Sequence, residues 1–224
     1  MEGKLYIVAT PIGNLEDITY RAVRILSEVD YILAEDTRVT GVLLAKYNIA
    51  TPQKRYDAHA SEHTHAMVLE DVAAGKRVAL VSDAGTPCIS DPGVLLVKKA
   101  REAKLVIEAI PGVSAITTAF SIAGIEGNQF VFLGFVPHKK GRETFFKEVA
   151  THPEIPHMFY ESVHRIEKTL ESLVEHLDAT RIVTVARELT KMHEEVVQGT
   201  PEEVRAHFAA HKDTIRGEFV VIVS

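Results

Sequence analysis

Three short stretches of the chain join an apolar, strand-like run to small, hydroxylic or acidic residues in a rigid turn. The most informative reads Val81-Ser82-Asp83-Ala84-Gly85-Thr86-Pro87-Cys88-Ile89-Ser90-Asp91-Pro92-Gly93. Two prolines and two glycines make a stiff loop whose backbone can approach a ligand closely, and Asp83 can accept from an amine or a hydroxyl. Its bland alternative is a helix entry at Asp91-Pro92-Gly93 with Asp91 as the cap. A second stretch, Ala9-Thr10-Pro11-Ile12-Gly13-Asn14-Leu15-Glu16-Asp17-Ile18-Thr19, has one glycine. It matches neither the G-x-G-x-x-G dinucleotide fingerprint nor the P-loop pattern, so a phosphate cradle is unsupported; a simple strand-to-helix turn capped by Asp17 is its competing reading. The third, Ala109-Ile110-Pro111-Gly112-Val113-Ser114-Ala115, is again a strand end and a rigid turn, with Ser114 placed to cap the next helix. Together they describe a site lined by backbone groups, hydroxyls and a carboxylate, suited to a neutral or cationic cofactor more than to a phosphate.

Later in the chain, Phe159-Tyr160-Glu161-Ser162-Val163-His164-Arg165 and Val185-Ala186-Arg187-Glu188-Leu189-Thr190-Lys191 place charged groups directly after apolar runs. Each reads as functional or as a salt-bridged strand terminus. His138-Lys139-Lys140 with Arg142 is a local basic cluster that fits a phosphate contact or a solvated linker. Asp57, His59, His63 and His65 include an i, i+4 histidine pair but lack a second patterned ligand pair, and Ser61 fits a helix cap, so no metal is expected.

The elements that position these loops alternate. Leu5–Ala9, Tyr31–Ala34, Arg77–Val81 and Leu105–Ile110 read as strands, and Ile18–Val29, Val39–Tyr47, Glu62–Ala74 and Val94–Ala103 as helices. Such alternation implies βαβ units and a parallel sheet covered on both faces, with ligands at the carboxyl ends of its strands. Beyond a helix at Ser114–Ala123 and a strand at Phe130–Phe135 the pattern changes. Ile182–Glu188, Glu194–Gln198 and Glu218–Val223 read as strands joined partly by short links, which predicts a mixed sheet. The expectation is an α/β protein of two domains, residues 1–113 with a parallel sheet and residues 114–224 with a mixed one.

The 224 residues, 46% hydrophobic and 25% charged, suffice for one sizeable core or two modest ones. The single cysteine, Cys88, excludes an internal disulfide and reads as a packing residue in a reducing compartment. No membrane-length apolar run and no signal-like start are visible, so a cytoplasmic protein without membrane contact is expected. The net charge of −6, with 13 basic against 15 acidic residues up to Gly112 and 12 against 16 beyond, excludes a broadly basic nucleic-acid binder. Any RNA role must use local patches.

In order and spacing, Val8-Ala9-Thr10-Pro11-Ile12-Gly13-Asn14-Leu15, Ala34-Glu35-Asp36-Thr37-Arg38, Ser82-Asp83-Ala84-Gly85-Thr86-Pro87, Tyr160-Glu161-Ser162 with His164-Arg165, Ala186-Arg187-Glu188-Leu189-Thr190-Lys191 and Gly217-Glu218-Phe219-Val220 resemble one group of proteins over essentially the whole chain. That group is the tetrapyrrole-methylase-like enzymes that use S-adenosylmethionine (SAM), and within them the branch acting on small-subunit ribosomal RNA. The resemblance implies the two-domain fold of that family with SAM between the domains, a homodimer, and SAM-dependent 2′-O-methylation of a cytidine in the decoding region of 16S rRNA on the small ribosomal subunit. It implies Pro11, Ser82, Asp83, Ala84, Gly85, Ser114, Ala115, Tyr160, Ala186 and Arg187 around the cofactor. Glu35, Asp36 and Arg38 fall on the substrate side, where Lys139, Lys140 and Arg142 offer phosphate contacts. The chain ends just after the Gly-Glu-Phe-Val strand, where such enzymes usually continue, and Val163 stands where a smaller or turn-favouring residue is common.

For that reaction a hydroxyl must lose its proton, so a general base is expected among Glu161, His164, Glu188, Lys191 and Asp36. Lys191 would need a lowered pKa, or would instead stabilise alkoxide charge. The rival readings are a tetrapyrrole C-methylase, which would need basic groups for several substrate carboxylates, and a non-catalytic protein that binds SAM or RNA.

Overall fold

A computed structural model describes residues 2–224, which divide into two compact units between Ser114 and Ala115. In the first, β1 (Lys4–Val8), β2 (Tyr31–Ala34), β3 (Gln53–Arg55), β4 (Arg77–Leu80) and β5 (Val106–Ile110) form one sheet in the order β3-β2-β4-β1-β5, every pair parallel. The inner strands β1, β2 and β4 are mostly apolar because both faces are covered. Tyr6, Val8, Ile32 and Ala79 pack with Ile25 and Leu26 of α1 (Tyr20–Glu28) and Leu44 of α2 (Thr37–Lys46). Leu5, Leu33, Val78 and Leu80 pack on the other side with Val68 and Val72 of α3 (Glu62–Ala73) and Leu96 and Ala100 of α4 (Val94–Glu102). Successive strand residues therefore feed opposite cores.

The helix starts correct two expectations. Asp17 does not cap α1: it closes a 3-10 turn, Leu15–Asp17, capped by Asn14, and Thr19 accepts from the Ala22 amide in its place. Asp91 does not cap α4, which begins at Gly93 with φ +125 and no side-chain cap. Close approach governs that corner, since a Cβ on Gly93 would stand 2.5 Å from Leu80 Cδ2 and 2.7 Å from the Cys88 sulfur. Ser61 does cap α3, through the Thr64 amide. The edge strand β3 has no counterpart in the sequence reading: Gln-Lys-Arg shows no apolar pattern, and charge on an edge strand discourages pairing with another chain.

The second unit contains α5 (Ala115–Ile122), β6 (Val131–Phe135), α6 (Arg142–Thr151), β7 (His157–Ser162), α7 (Ile166–His176), β8 (Val183–Arg187), β9 (Glu195–Gly199), α8 (Pro201–Ala210) and β10 (Glu218–Val223). Its sheet is mixed, in the order β6-β7-β10-β8-β9, with β6 and β7 parallel and the other pairs antiparallel. Phe159, Val185, Phe219 and Val221 on one face meet Phe146 of α6, Leu170 and Leu173 of α7 and Phe208 of α8. On the other face Met158, Thr184, Val220 and Ile222 are buried, and Gln198 Nε2 ties β8 to the end of α5 by donating to Thr184 Oγ1 and the Ala123 carbonyl. No helix among the described residues is long and apolar enough to cross a membrane.

The first sheet tolerates no side chain at Gly3, where a Cβ would stand 1.9 Å from the Val72 carbonyl oxygen and 2.9 Å from Gly75 Cα. Gly124, with φ +64, has open space around it. Gly3→Ala is therefore expected to cost more than about 3 kcal/mol by forcing backbone apart, and Gly124→Ala about 1–2 kcal/mol from left-handed strain alone. Urea denaturation would check the order; equal losses would refute the steric argument.

Candidate functional site

The carboxyl edge of the first sheet is a web of main-chain bonds. The Thr10 amide donates to the Gly85 carbonyl at 2.9 Å, and the Gly85 amide returns to the Thr10 carbonyl at 3.0 Å. Thr10 Oγ1 donates to the Ser82 carbonyl at 3.1 Å, and Ser82 Oγ turns back onto the Ala84 carbonyl at 3.2 Å. Gly85 has φ +79, a conformation that a side chain would strain. The third loop joins through Thr86 Oγ1, which donates to the Val113 carbonyl at 3.1 Å, and through Gly112, where a Cβ would lie 2.9 Å from that of Ala9. The predicted Pro11, Ser82, Asp83, Ala84 and Gly85 thus share one edge, with Ser114 closing the third loop and Ala115 opening α5. Thr10, not singled out from the sequence, is the residue that connects them. A cavity of about 370 Å³ lies at the opposite, amino edge, lined by Gly3, Val72, Gly75 and Leu105. It has no part in this web.

Beside the web stands an acidic group. Asp83 Oδ1 accepts from the Asp36 amide at 3.0 Å, joining the loops after β4 and β2, while its Oδ2 has no partner among the described residues. Asp36 caps α2 and grips Arg38, whose amide and guanidinium both donate to it; those bonds hold its carboxyl well below the usual range. So committed a carboxylate is a poor base, and the expectation of Asp36 as general base is corrected. Arg38 is likewise engaged, although its side chain stays exposed. Burial first, and then the charges of Asp83, Asp91, Asp57 and Asp36, push the Glu35 carboxyl up. Among the nearby histidines, His65 is buried with its ring against the Tyr56 hydroxyl, while Asp57 accepts from the His59 main-chain amide.

In the second unit the ends of β7 and β8 and the start of β10 share an edge. Tyr160 faces Val220, which faces Ala186, so the two predicted cofactor residues lie in one row across three strands. The Tyr160 ring is held edge-on by Phe132 and tilted against Phe135, with centroids 5.0 and 5.2 Å away. A register shift between those phenylalanines, at Gly134 with φ +69, swings Phe135 outward. The Arg187 guanidinium is buried on Glu195, which also meets His207, so Arg187 can offer a cofactor only its main chain.

Three further expectations are corrected here. The Glu161 side chain is fully buried: Oε1 accepts from the Ser162 amide and Arg165, each at 2.7 Å, and Oε2 accepts from Thr169 Oγ1 at 2.6 Å and faces Arg142. Both oxygens are engaged and the side chain is closed to solvent, so Glu161 is a positioning residue and not a base. Arg142 points inward, donating to Thr169 Oγ1 and lying over the Phe146 ring, and is closed to phosphate. Lys191 donates to Glu188 at 2.8 Å and Glu218 at 3.2 Å; burial opposes its charge, but the two carboxylates outweigh it and raise the ammonium above its ordinary value. It stays cationic, unfit as a base. Glu188, its partner, sits at φ 51 and packs where Gly217 leaves room, since a Cβ there would meet its Oε1 at 1.7 Å. His164, in the exposed turn after β7, is the candidate base with no hydrogen bond to another described group. Lys139 and Lys140 are exposed between β6 and α6.

Residues 4–205 match the family model described as Tetrapyrrole (Corrin/Porphyrin) Methylases. A protein of Halalkalibacterium halodurans named ribosomal RNA small subunit methyltransferase I is 44% identical over 99% of this chain and 76% of its own length. One of the same name from Thermotoga maritima is 43% identical over 99% of this chain and 98% of its own, so a long extension past the last strand is not common to all such relatives. Among solved structures, a cobalt precorrin-4 methyltransferase superimposes with TM-score 0.74 at 20% identity, covering 99% of this chain and 94% of that one. A uroporphyrin-III C-methyltransferase of Thermus thermophilus, complexed with S-adenosyl homocysteine, gives 0.67 at 20%, covering 99% and 97%. Both share the fold.

Because the ionised form of Glu35 is disfavoured in the folded chain, it costs stability at pH values above its folded pKa, and the cost vanishes once the group is protonated in both states. Glu35→Gln should melt higher than the parent at about pH 7, with the gap closing towards about pH 4. Melting curves at the two pH values test this; a lower melting point at neutral pH would refute it.

Proposed function

Since the chain belongs to the family of tetrapyrrole (corrin/porphyrin) methylases, we propose that it transfers the methyl group of SAM to the 2′-hydroxyl of a cytidine in the decoding region of 16S rRNA, in the cytoplasm, on small ribosomal subunits. The observation that carries the substrate is the 43–44% identity, over nearly the whole chain, to proteins named for ribosomal RNA of the small subunit. The corrin and porphyrin enzymes, at 20% identity, support only the fold.

The first unit's carboxyl edge fits SAM chemically: an open carboxylate oxygen on Asp83 suits an amine or a ribose hydroxyl, and main chain from Pro11 and Ser82 to Gly85 suits an uncharged purine. Bound SAM supplies a methyl group activated by a sulfonium. In the second unit Tyr160, Ala186 and the main chain of Arg187 are separate cofactor candidates, with Ser114 and Ala115 at the junction of the chain. The enzyme's own task is alignment and proton removal: the hydroxyl oxygen would gain the methyl as the methyl's bond to the sulfonium breaks, leaving a neutral thioether, and the hydroxyl proton would pass to a base. His164 is our candidate, as the expected base whose nitrogens are uncommitted. Glu161 holds Arg165 and the Ser162 amide and thereby sets the turn that carries His164. Lys191, kept cationic, can favour developing alkoxide charge. Glu35 and Arg38 are substrate-side candidates.

The deciding measurement is transfer of labelled methyl from SAM to purified small subunits lacking the modification, followed by nucleoside analysis. The expected product is 2′-O-methylcytidine; absence of transfer by protein shown to bind SAM would refute the proposed acceptor. In the same system Asp83→Ala should weaken SAM binding at least about tenfold by calorimetry. His164→Ala should lower kcat about 10²-fold or more without changing SAM affinity, and an unaltered kcat would remove it as base. The homodimer is part of the same proposal. Sedimentation at micromolar concentration should give twice the monomer mass, and a monomer would end that reading.

A further inference from the structure

The second unit holds 12 lysine and arginine residues. Seven of them, from Arg142 to Lys212, stand within ion-pair distance of a carboxylate, and Arg181 is buried on the Ser224 carbonyl. That leaves Lys139, Lys140, Lys168 and Arg216, all exposed and all without a partner among the described residues. These four come from three separate segments but share one place in the fold. Lys139 and Lys140 follow β6, Lys168 lies in the first turn of α7 after β7, and Arg216 precedes β10. Since β6 runs parallel to β7, and β10 runs antiparallel with Glu218 facing Ser162, the ends of β6 and β7 and the start of β10 form one edge. The three strands span roughly 10 Å.

Two partly buried contacts fix the loops of that edge to each other. Arg165 donates to the Val136 carbonyl at 2.7 Å and Arg142 donates to Thr169 at 2.8 Å, tying the β6–α6 loop to the start of α7. The acids nearby are mostly neutralised: Glu161 is sealed among arginines, Glu218 and Glu188 hold Lys191, and Glu167 holds Lys212. Asp213, three residues before Arg216, makes no ion pair with it. Phe135, at the end of β6, leaves 52% of its surface exposed while its inner side rests on Tyr160. Unpaired cations around a supported, half-exposed aromatic ring match an unpaired stretch of RNA, whose phosphates take the cations and whose bases stack.

We infer that this edge docks the RNA: Lys139, Lys140, Lys168 and Arg216 meet backbone phosphates, and Phe135 stacks a base beside Tyr160. The inference rests on the reading of the substrate as small-subunit RNA and adds Lys168, Arg216 and Phe135 to it. Binding of the full chain to purified, unmodified small subunits, measured by filter retention from about 50 to 200 mM salt, tests it. A Lys168→Ala/Arg216→Ala double variant should bind about tenfold more weakly at low salt, with a log–log salt slope shallower by about 1.4, or about 0.7 for each lost phosphate contact. Phe135→Ala should raise KM for subunits at least about fivefold. The double variant should keep the parent's SAM affinity, and every variant the parent's melting point, which shows that they fold. Arg101→Ala, an exposed cation of the first unit, should match the parent. A parent that binds and methylates subunits, with a double variant of equal affinity and slope, overturns the inference alone. A parent that neither binds nor methylates them overturns the reading beneath it as well.

Discussion

The first unit is organised by the reciprocal main-chain pair between Thr10 and Gly85. A parallel strand covered on both faces must end in a loop, and the amides and carbonyls leaving the ladder need new partners. One such group left unmet costs about 1–3 kcal/mol. Here the loops after β1 and β4 satisfy each other, with Thr10 Oγ1 and Ser82 Oγ taking further carbonyls. That solution dictates several side chains at once. Gly85 must accept φ +79, Gly112 must let the third loop approach Ala9, and Asp83 is placed where one oxygen holds the Asp36 amide. The bonding that makes the edge stiff is the same bonding that makes it stable.

The second unit meets the same problem with charge. Glu161 occupies the position at which β7 turns away, and it draws in the Ser162 amide, Thr169, Arg165 and Arg142. Well-packed apolar groups would be at least as stabilising as such a buried pair, because desolvating three charges offsets their attraction. What the network achieves is direction: it specifies where the β6–α6 loop and the start of α7 stand relative to one another. Removing either partner would strand an unpaired charge, so the turn bearing His164 is strongly determined.

Much of this was legible in the sequence, and some of the misreadings were avoidable. The mostly apolar strands and their helices declared a doubly covered parallel sheet, and the change of pattern after Gly112 declared the mixed one. Glu161 looked catalytic because it follows an apolar run, yet it lies two residues from Phe159, and strand alternation puts it on the same buried face. Arg142 looked like a surface cation in a basic run. It precedes Phe145 and Phe146 by three and four residues, so helical spacing turns it inward with them. By contrast, no local pattern shows that Thr10 bridges to Gly85, or that Lys191 finds Glu218; these pairings depend on strand order. The alternative readings of Asp17 and Asp91 as caps failed for a similar reason, because a nearby threonine and a crowded corner at Gly93 competed and won.

Net charge was the least informative of the sequence quantities. A value of −6 argues against a wholly basic surface, but it says nothing of how charges are spent. In this chain acids cap helices at Asp36, sit buried at Glu161, or anchor strand ends at Glu195 and Glu218. Each such use removes a carboxylate from the field felt outside and often takes one cation with it. The cations left over in the second unit are few, and the fold gathers them at one edge. A surface of that kind holds RNA weakly by charge alone and gains specificity from the shape of a structured partner. An acidic protein can therefore act on RNA, provided that its acids are already engaged.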